Sequence, residues 1–210
     1  MKRLLIADDH AVVRKGLRET LEEELPDLQF GEAGTNQQVL EMVWGEKWDL
    51  VILDINMDQR SGLEVLEEIH QARPKLPVLI LSMYPVEEFG VRALKLGATG
   101  YLTKQSAPEE LVTAVRSVLA GGRYISASLA DRLAADVQRG SERPLHEALS
   151  TREYQVMLMI ARGRSLKEIA GELSISAKTV GTYHTRILTK MGLSNDIQIT
   201  RYALLNKLVD

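Results

Sequence analysis

Cysteine is absent from the 210 residues, which excludes disulfide bridges and cysteine-ligated zinc. No apolar run approaches the length of a membrane-spanning helix. The opening Met1-Lys2-Arg3-Leu4-Leu5-Ile6-Ala7 is too short in apolar residues for a signal peptide and runs straight into Asp8-Asp9. Internal repeats and low-complexity tracts are missing as well. These absences point to a soluble chain in a reducing, cytoplasmic compartment, without a membrane partner. What is present, 45% hydrophobic residues over this length, suits two modest domains with a core in each.

The net charge of −3 hides a division. Residues 1–122 carry 13 Lys+Arg against 20 Asp+Glu, a balance of −7, and residues 146–210 carry 9 against 6, a balance of +3. An acidic front and a mildly basic back suggest different partners for the two parts. The basic excess permits nucleic-acid binding without requiring it.

The front part alternates strands and helices. Strands are expected over Arg3–Ala7, Leu28–Ala33, the run ending at Asp54, Val78 to Ser82, and Gly100 to Leu102. Helical spacing falls between and after them, over 11–25, 36–44, 62–72, 86–96 and from Pro108 to Leu119, where Gly121-Gly122 stops it. Regular alternation with short connections implies a parallel sheet covered by helices on both sides. Leu50-Val51-Ile52-Leu53-Asp54 is the central stretch, because four consecutive apolar residues read as a strand buried on both faces. A lone carboxylate after such a run belongs at the strand's carboxyl end, where open α/β sheets bind ligands.

Taken alone, Asp54 could equally cap the next turn. The alternation, however, brings Asp8, Asp9, Asp54, Ser82 and Lys104 to one edge of the sheet. Convergent carboxylates repel unless a cation intervenes, and hard oxygen ligands suit Mg²⁺. Magnesium suits phosphoryl chemistry, in which a lysine can pair with the phosphoryl group and a serine hydroxyl can bond to it. The nucleophile on offer is a carboxylate, whose product is an acyl phosphate.

On these residues, with Asp54-Ile55-x-Met57 leading to Gly62, the chain resembles the receiver domain of two-component response regulators over roughly 2–122. The resemblance implies an α/β, flavodoxin-like, doubly wound parallel sheet of order 2-1-3-4-5 with Asp54 as phosphoacceptor. It implies that Asp9, Asp54 and the backbone carbonyl of Asn56 bind Mg²⁺, with Asp8 supporting. Ser82 and Tyr101 would be the switch pair beside Lys104. Two positions depart from the pattern. Asp58 stands where proline is common, adding an acidic group and relaxing the loop, and Gln105 replaces a frequent proline.

A helix is expected over 127–137, followed by a polar hinge at Arg139–Pro144. Beyond it, Ser150-x-x-Glu153 and Ser165-x-x-Glu168 are capping-box patterns that announce two helices. Ser176 caps a third, from Ala177 to about Lys190, and a fourth runs from about Asp196 to Leu208. Two helices joined by a short turn fit a DNA-binding helix-turn-helix. On the third helix Val180, Tyr183, Ile187 and Met191 share the core side, while Lys178, Gly181, Thr182, Thr185, Arg186 and Thr189 share the other. The same pattern would serve a small helical bundle with a solvated polar face.

The segments Leu149–Glu153, Ile160–Gly163, Lys167–Ala170, Ile175-Ser176-x-x-Thr179-Val180 and Lys190–Gly192 are similar to the LuxR-type four-helix DNA-binding domain. With the receiver they make the chain resemble the NarL/FixJ family of transcriptional regulators. That resemblance implies DNA contact from Lys178, Thr179, Gly181, Thr182, Thr185 and Arg186, with Gly181 in place of a frequent lysine. It implies dimerisation through the fourth helix, at Ile199, Ala203 and Lys207. The expected organisation is a receiver over 1–122, a linker over 123–145 and an all-α helix-turn-helix domain over 146–210. The expected partners are a sensor histidine kinase, promoter DNA, a second copy when phosphorylated, and RNA polymerase as a further candidate.

Two other readings stay open. One is an aspartyl-nucleophile phosphatase or phosphotransferase. Haloacid-dehalogenase-like enzymes carry a second acid two residues after the nucleophile, and here Asn56 fills that place, so enzymatic turnover is not expected. The other is a protein-binding regulator that never contacts DNA.

Overall fold

The computed structural model describes residues 1–57, 60–138 and 144–209. Asp58 and residues 139–143 of the expected hinge lie outside the described residues. The chain divides into two compact units, Met1–Ala135 and Asp136–Asp210. Among the described residues no helix is long and apolar enough to cross a membrane.

In the first unit β1 (Lys2–Ala7), β2 (Leu28–Ala33), β3 (Leu50–Asp54), β4 (Val78–Ser82) and β5 (Gly100–Thr103) form one parallel sheet. Its order is β2-β1-β3-β4-β5, the flavodoxin-like arrangement. The helices α1 (Ala11–Glu24), α2 (Asn36–Gly45), α3 (Gly62–Ala72), α4 (Val86–Lys95) and α5 (Pro108–Leu119) alternate with the strands. Every residue of β3 and β4 is buried, as continuous apolar runs require in a sheet covered on both faces. On one of those faces Leu4, Ile6, Leu50, Ile52, Leu79 and Leu81 meet Leu111, Val112, Val115 and Val118 of α5. Among these elements five boundaries differ from the sequence reading by one residue, at the start of β1 and the ends of α1, α2, α4 and β5. β5 reaches Thr103 because that residue pairs with Ser82, and α1 stops at Glu24 with Leu25 as its C-cap.

The chain stays on this unit after α5. Tyr124 forms a parallel bridge with Gly100, its N–H donating to the Thr99 carbonyl at 3.0 Å. Its hydroxyl donates to Glu110 Oε1 at 2.7 Å; burial and this acidic partner push the phenol pKa up to about 12. Helix α6 (Ala127–Gln138) then seats the fully buried Leu129 on Gly90 of α4. A Cβ at position 90 would lie 2.8 Å from Leu129 Cδ1, so the absence of a side chain makes the notch.

The second unit is helical: a 3₁₀ turn (Leu145–Ala148) that the sequence pattern does not announce, then α7 (Thr151–Ala161), α8 (Leu166–Glu172), α9 (Ala177–Met191) and α10 (Asp196–Leu205). Both capping boxes form, at Ser150/Glu153 and at Ser165/Glu168, and Ser176 Oγ accepts from the Thr179 N–H. Helix α7 packs on α9 and α10, and α8 packs on α9. Tyr154, Met157, Leu158, Ile169, Val180, Ile187 and Met191 fill the core. The last helix is shorter than its apolar pattern suggests: Asn206 caps it, and Lys207 turns to a positive φ of 53°.

Candidate functional site

Parallel strands end together, so their carboxyl ends bring distant residues to one place. Asp8 follows β1, Asp54 ends β3, Ser82 ends β4 and Lys104 follows β5. Lys104 Nζ lies 2.8 Å from Asp54 Oδ2 and 2.5 Å from Asp8 Oδ2. The Lys104 N–H donates to the Ser82 carbonyl at 2.7 Å, which fixes where the lysine starts. Asp8 and Asp54 are buried, 1% and 2% exposed, whereas Asp9 opens to solvent.

Burial raises the Asp54 pKa from 3.8 to about 6, against the pull of Lys104 and with the help of neighbouring Asp8. Burial works to lower Lys104, but the two carboxylates outweigh it and hold the ammonium above its usual value. The Asn56 backbone N–H also lowers the Asp54 pKa, but not enough to offset burial. Two buried carboxylates thus share one ammonium. That is an electrostatic deficit a hard cation would fill.

The loop after β3 is held by Gly62, which the sequence motif includes, and by Ser61 and Asn36, which the sequence reading did not single out. An added Cβ at Gly62 would stand 1.9 Å from the Asp54 carbonyl oxygen, so α3 can begin this close to the strand end only with glycine. Gly62 N–H donates to the Ile55 carbonyl at 2.8 Å, and Asn56 bridges Ser61. Asn36 Nδ2 donates to the carbonyls of Met57 and Arg60 at 2.8 and 2.9 Å. His10 is another addition: its backbone N–H donates to Asp8 Oδ1 at 2.8 Å, and its Nδ1 lies 2.6 Å from Asp9 Oδ1. Asp8, Asp9 and His10 form a group with ligand-type atoms all within 4.8 Å of one another. Its place beside Asp8-Asp9 in the sequence was the available signal. This oxygen-rich donor set, with two buried carboxylates to one ammonium, fits a hard divalent ion.

Beside this site, Tyr101 is fully buried and its hydroxyl donates to the Tyr84 carbonyl at 2.8 Å. Burial pushes its phenol far up, opposed by a bond with Ser82. Ser82 Oγ also accepts from the Tyr84 N–H at 3.2 Å, so Ser82 and Tyr101 meet at the same backbone turn.

In the second unit α9 buries Val180, Ile187 and Met191, and Tyr183 is half-buried. Lys178, Thr182, Thr185, Arg186 and Thr189 are exposed, and Gly181 is half-buried beside them. Thr179 is drawn to the helix start, where its Oγ1 and Ser176 Oγ are 2.8 Å apart. The hydroxyls of Thr182, Thr185 and Thr189 donate to the carbonyls of Lys178, Gly181 and Thr185 at 3.1, 3.1 and 2.9 Å. Lys190 reaches Glu153 Oε2 at 2.6 Å, tying α9 to the α7 capping box. This bond and those from Ser150 lower the Glu153 pKa despite burial.

Ile199 and Ala203 are fully buried on α10, within the contact that α10 makes with α7, and Lys207 lies past the helix end. A face already used inside the unit offers little to a second copy. The exposed apolar residues of α10 are Ile197, Leu204 and Leu205, 79%, 49% and 73% exposed.

Two family models match the chain: response regulator receiver domain over residues 4–116, and bacterial regulatory proteins, luxR family, over residues 147–203. Response regulator UvrY of Escherichia coli K12 is 32% identical over 205 residues, spanning 97% of this chain and 94% of that one. Response regulator GacA of Pseudomonas protegens is 36% identical over 212 residues, spanning 100% and 99%. Among solved structures, the Salmonella typhimurium RcsB response regulator matches with a TM-score of 0.61 at 26% identity, over 96% of this chain and 98% of that one. An RcsB–DNA complex matches with a TM-score of 0.60 at 25% identity, over 100% and 99%.

Proposed function

Because the chain belongs to the NarL/FixJ family of two-component response regulators, with a receiver domain and a LuxR-type DNA-binding domain, we propose that phosphorylation of Asp54 controls how its second unit binds promoter DNA. The observation that carries this reading is the state of Asp54, buried beside Asp8 at the strand end, with both carboxylates sharing the single Lys104 ammonium. Such a carboxylate is oriented and short of electrostatic support, which suits a nucleophile awaiting a phosphoryl group.

A carboxylate oxygen of Asp54 attacks phosphorus of a phosphohistidine on a sensor kinase. The P–N bond breaks, the histidine keeps the electron pair, and Asp54 carries a mixed acyl phosphate. Lys104, already within reach of both carboxylates, pairs with the new phosphoryl oxygens, and the Ser82 hydroxyl turns to donate to them. Asp9, Asp54 and the Asn56 carbonyl would hold Mg²⁺, with Asp8 supporting. When bound, the ion neutralises charge on the phosphoryl oxygens. Tyr101, whose ring is already turned in, reports the Ser82 movement to the face carrying α4 and β5.

In this reading residues 1–122 are the receiver, 123–145 the linker and 146–210 the DNA-binding part. Lys178 and Arg186 contact phosphates, and Gly181, Thr182 and Thr185 face the major groove. A second copy pairs through the exposed stripe of Ile197, Leu204 and Leu205 on α10. A related structure holds two RcsB dimers on DNA, which supports pairing here.

The test is a set of duplex titrations with full-length protein: untreated, treated with acetyl phosphate and Mg²⁺, and treated Asp54→Asn. Treatment is expected to tighten wild-type binding by roughly 5–150-fold, the range of ordinary coupling energies. Radiolabelled donor should mark wild type and leave Asp54→Asn unlabelled. Equal labelling, or equal affinity in all three forms, would sink the proposal.

A further inference from the structure

The outward face of α9 carries an unusual set of hydrogen-bonding groups. Lys178, Thr182, Thr185 and Thr189 recur four, three and four residues apart, which at 3.6 residues per turn is one stripe, opposite the buried Val180, Ile187 and Met191. A threonine hydroxyl has one proton to give and two lone pairs to accept with. Each of the three stripe hydroxyls gives its proton to the helix carbonyl four residues back. What remains facing outward is a row of methyl groups and acceptor lone pairs. On the flank, Gly181 adds nothing: a Cβ built there finds no atom within 4 Å, so the space is open and holds no donor.

From this we infer that the stripe reads thymine methyl groups in A·T pairs and passes over guanine. The inference rests on the reading of α9 as the helix that enters the major groove. Guanine shows that groove two acceptors, N7 and O6, which threonines whose protons are already held cannot bond. Adenine offers its N6 amino group to a threonine lone pair, and thymine offers its C5 methyl to a threonine methyl. Cytosine offers an amino group too, but no methyl, so the A·T pair alone satisfies both halves of the stripe. To read guanine, a hydroxyl would have to leave a carbonyl that already holds it. Lys178 and Arg186 are exposed long cations at the end and edge of the stripe, where phosphates satisfy them.

The test uses full-length protein treated with acetyl phosphate and Mg²⁺. Duplexes are first selected from a random pool at low salt. Each thymine of the selected site is then replaced by uracil, which removes only the methyl group. Binding is expected to fall by about fourfold for each thymine methyl buried against Thr182 or Thr185, the worth of one buried methyl-sized group. Thr182→Val and Thr185→Val keep the branched shape and the methyl but lose the acceptor for adenine N6, so they should bind about fivefold more weakly, the worth of one hydrogen bond, with the uracil penalty intact. Thr182→Ser and Thr185→Ser keep the hydroxyl and lose the methyl, so they should bind more weakly and no longer distinguish thymine from uracil. Selected duplexes that bind equally well with uracil would overturn the inference and leave the DNA-binding reading standing. So would valine variants that no longer distinguish thymine from uracil. A failure to retain any duplex would overturn the DNA-binding reading, and the inference with it.

Discussion

The two units treat their functional polar groups in opposite ways. In the first, Asp8 and Asp54 are buried and share one ammonium, and burial holds the Asp54 pKa well above its usual value. In the second, Lys178, Thr182, Thr185 and Arg186 stand in water, and the threonine hydroxyls are satisfied by their own helix. A site that must receive a charged group gains from having its electrostatics unbalanced beforehand, because arrival of the group relieves the imbalance. A surface that must approach and leave a polyanion gains from being at rest in solvent, since each departure then leaves no buried charge exposed or unpaired. One unit stores free energy in place; the other carries almost none until it meets its partner.

The sharpest way to expose this difference is to remove the imbalance. The folded protein holds the Asp54 proton more tightly than the unfolded chain does, with a pKa of about 6 against 3.8. Below 3.8 the carboxyl is neutral in both states and burial is not penalised. Between 3.8 and 6 the unfolded chain has released the proton while the fold still holds it, so the destabilisation builds across that window and is complete above 6. In a metal-free buffer, Asp54→Asn is therefore expected to be more stable than wild type at pH 7.5 by about 2–3 kcal/mol, the advantage fading as pH falls through 6 toward 4. Denaturant titrations across that range measure it, and adding Mg²⁺ should stabilise wild type alone. A pH-independent difference would mean that Asp54 is not under electrostatic stress.

The opposite behaviour is expected of the exposed face. Lys178→Ala or Arg186→Ala should leave stability unchanged within about 0.5 kcal/mol, as for surface residues generally. Each should weaken binding to every duplex and reduce the slope of log affinity against log salt by about 1. If either leaves both affinity and slope untouched, that residue lies off the docking surface. The smallest effect belongs to Gly181. Its place in mid-helix, with open space around it, means that Gly181→Ala should raise thermal stability by roughly 0.5–1 kcal/mol through helix propensity alone. A loss instead would show that the helix backbone needs glycine there.

The same contrast decides what could be read from sequence. Burial is written in residue type: Leu50-Val51-Ile52-Leu53 had to be a central strand, and the place of Asp54 at its carboxyl end followed from the cost of burying a lone carboxylate. Both capping boxes were equally legible, because each rests on local pattern, whereas the strand order was implied by the resemblance to receiver domains. Close approach is not written there. Nothing in the sequence shows that the Asp54 carbonyl lies where a Gly62 side chain would be, or that Asn36 ties down the loop 21 residues away. Helical phase on α10 was ambiguous for another reason. Ile197, Ile199, Ala203, Leu204 and Leu205 surround the helix with apolar groups, and only packing against α7 separates the buried pair from the exposed three. The tail beyond α5 looked like a departure from the sheet, yet a single backbone bridge at Tyr124 keeps it there.

That bridge bears on how such proteins are assembled in evolution. β5 is an edge strand, and an uncovered edge invites pairing with another chain. Tyr124 closes part of that edge at Gly100, and Leu129 fills the Gly90 notch on α4. A gene fusion that joined a new output domain directly after Gly122 would inherit an open edge and an empty apolar notch. The portable piece is therefore longer than the sheet and its five helices, and its natural seam lies within α6, beyond Leu129.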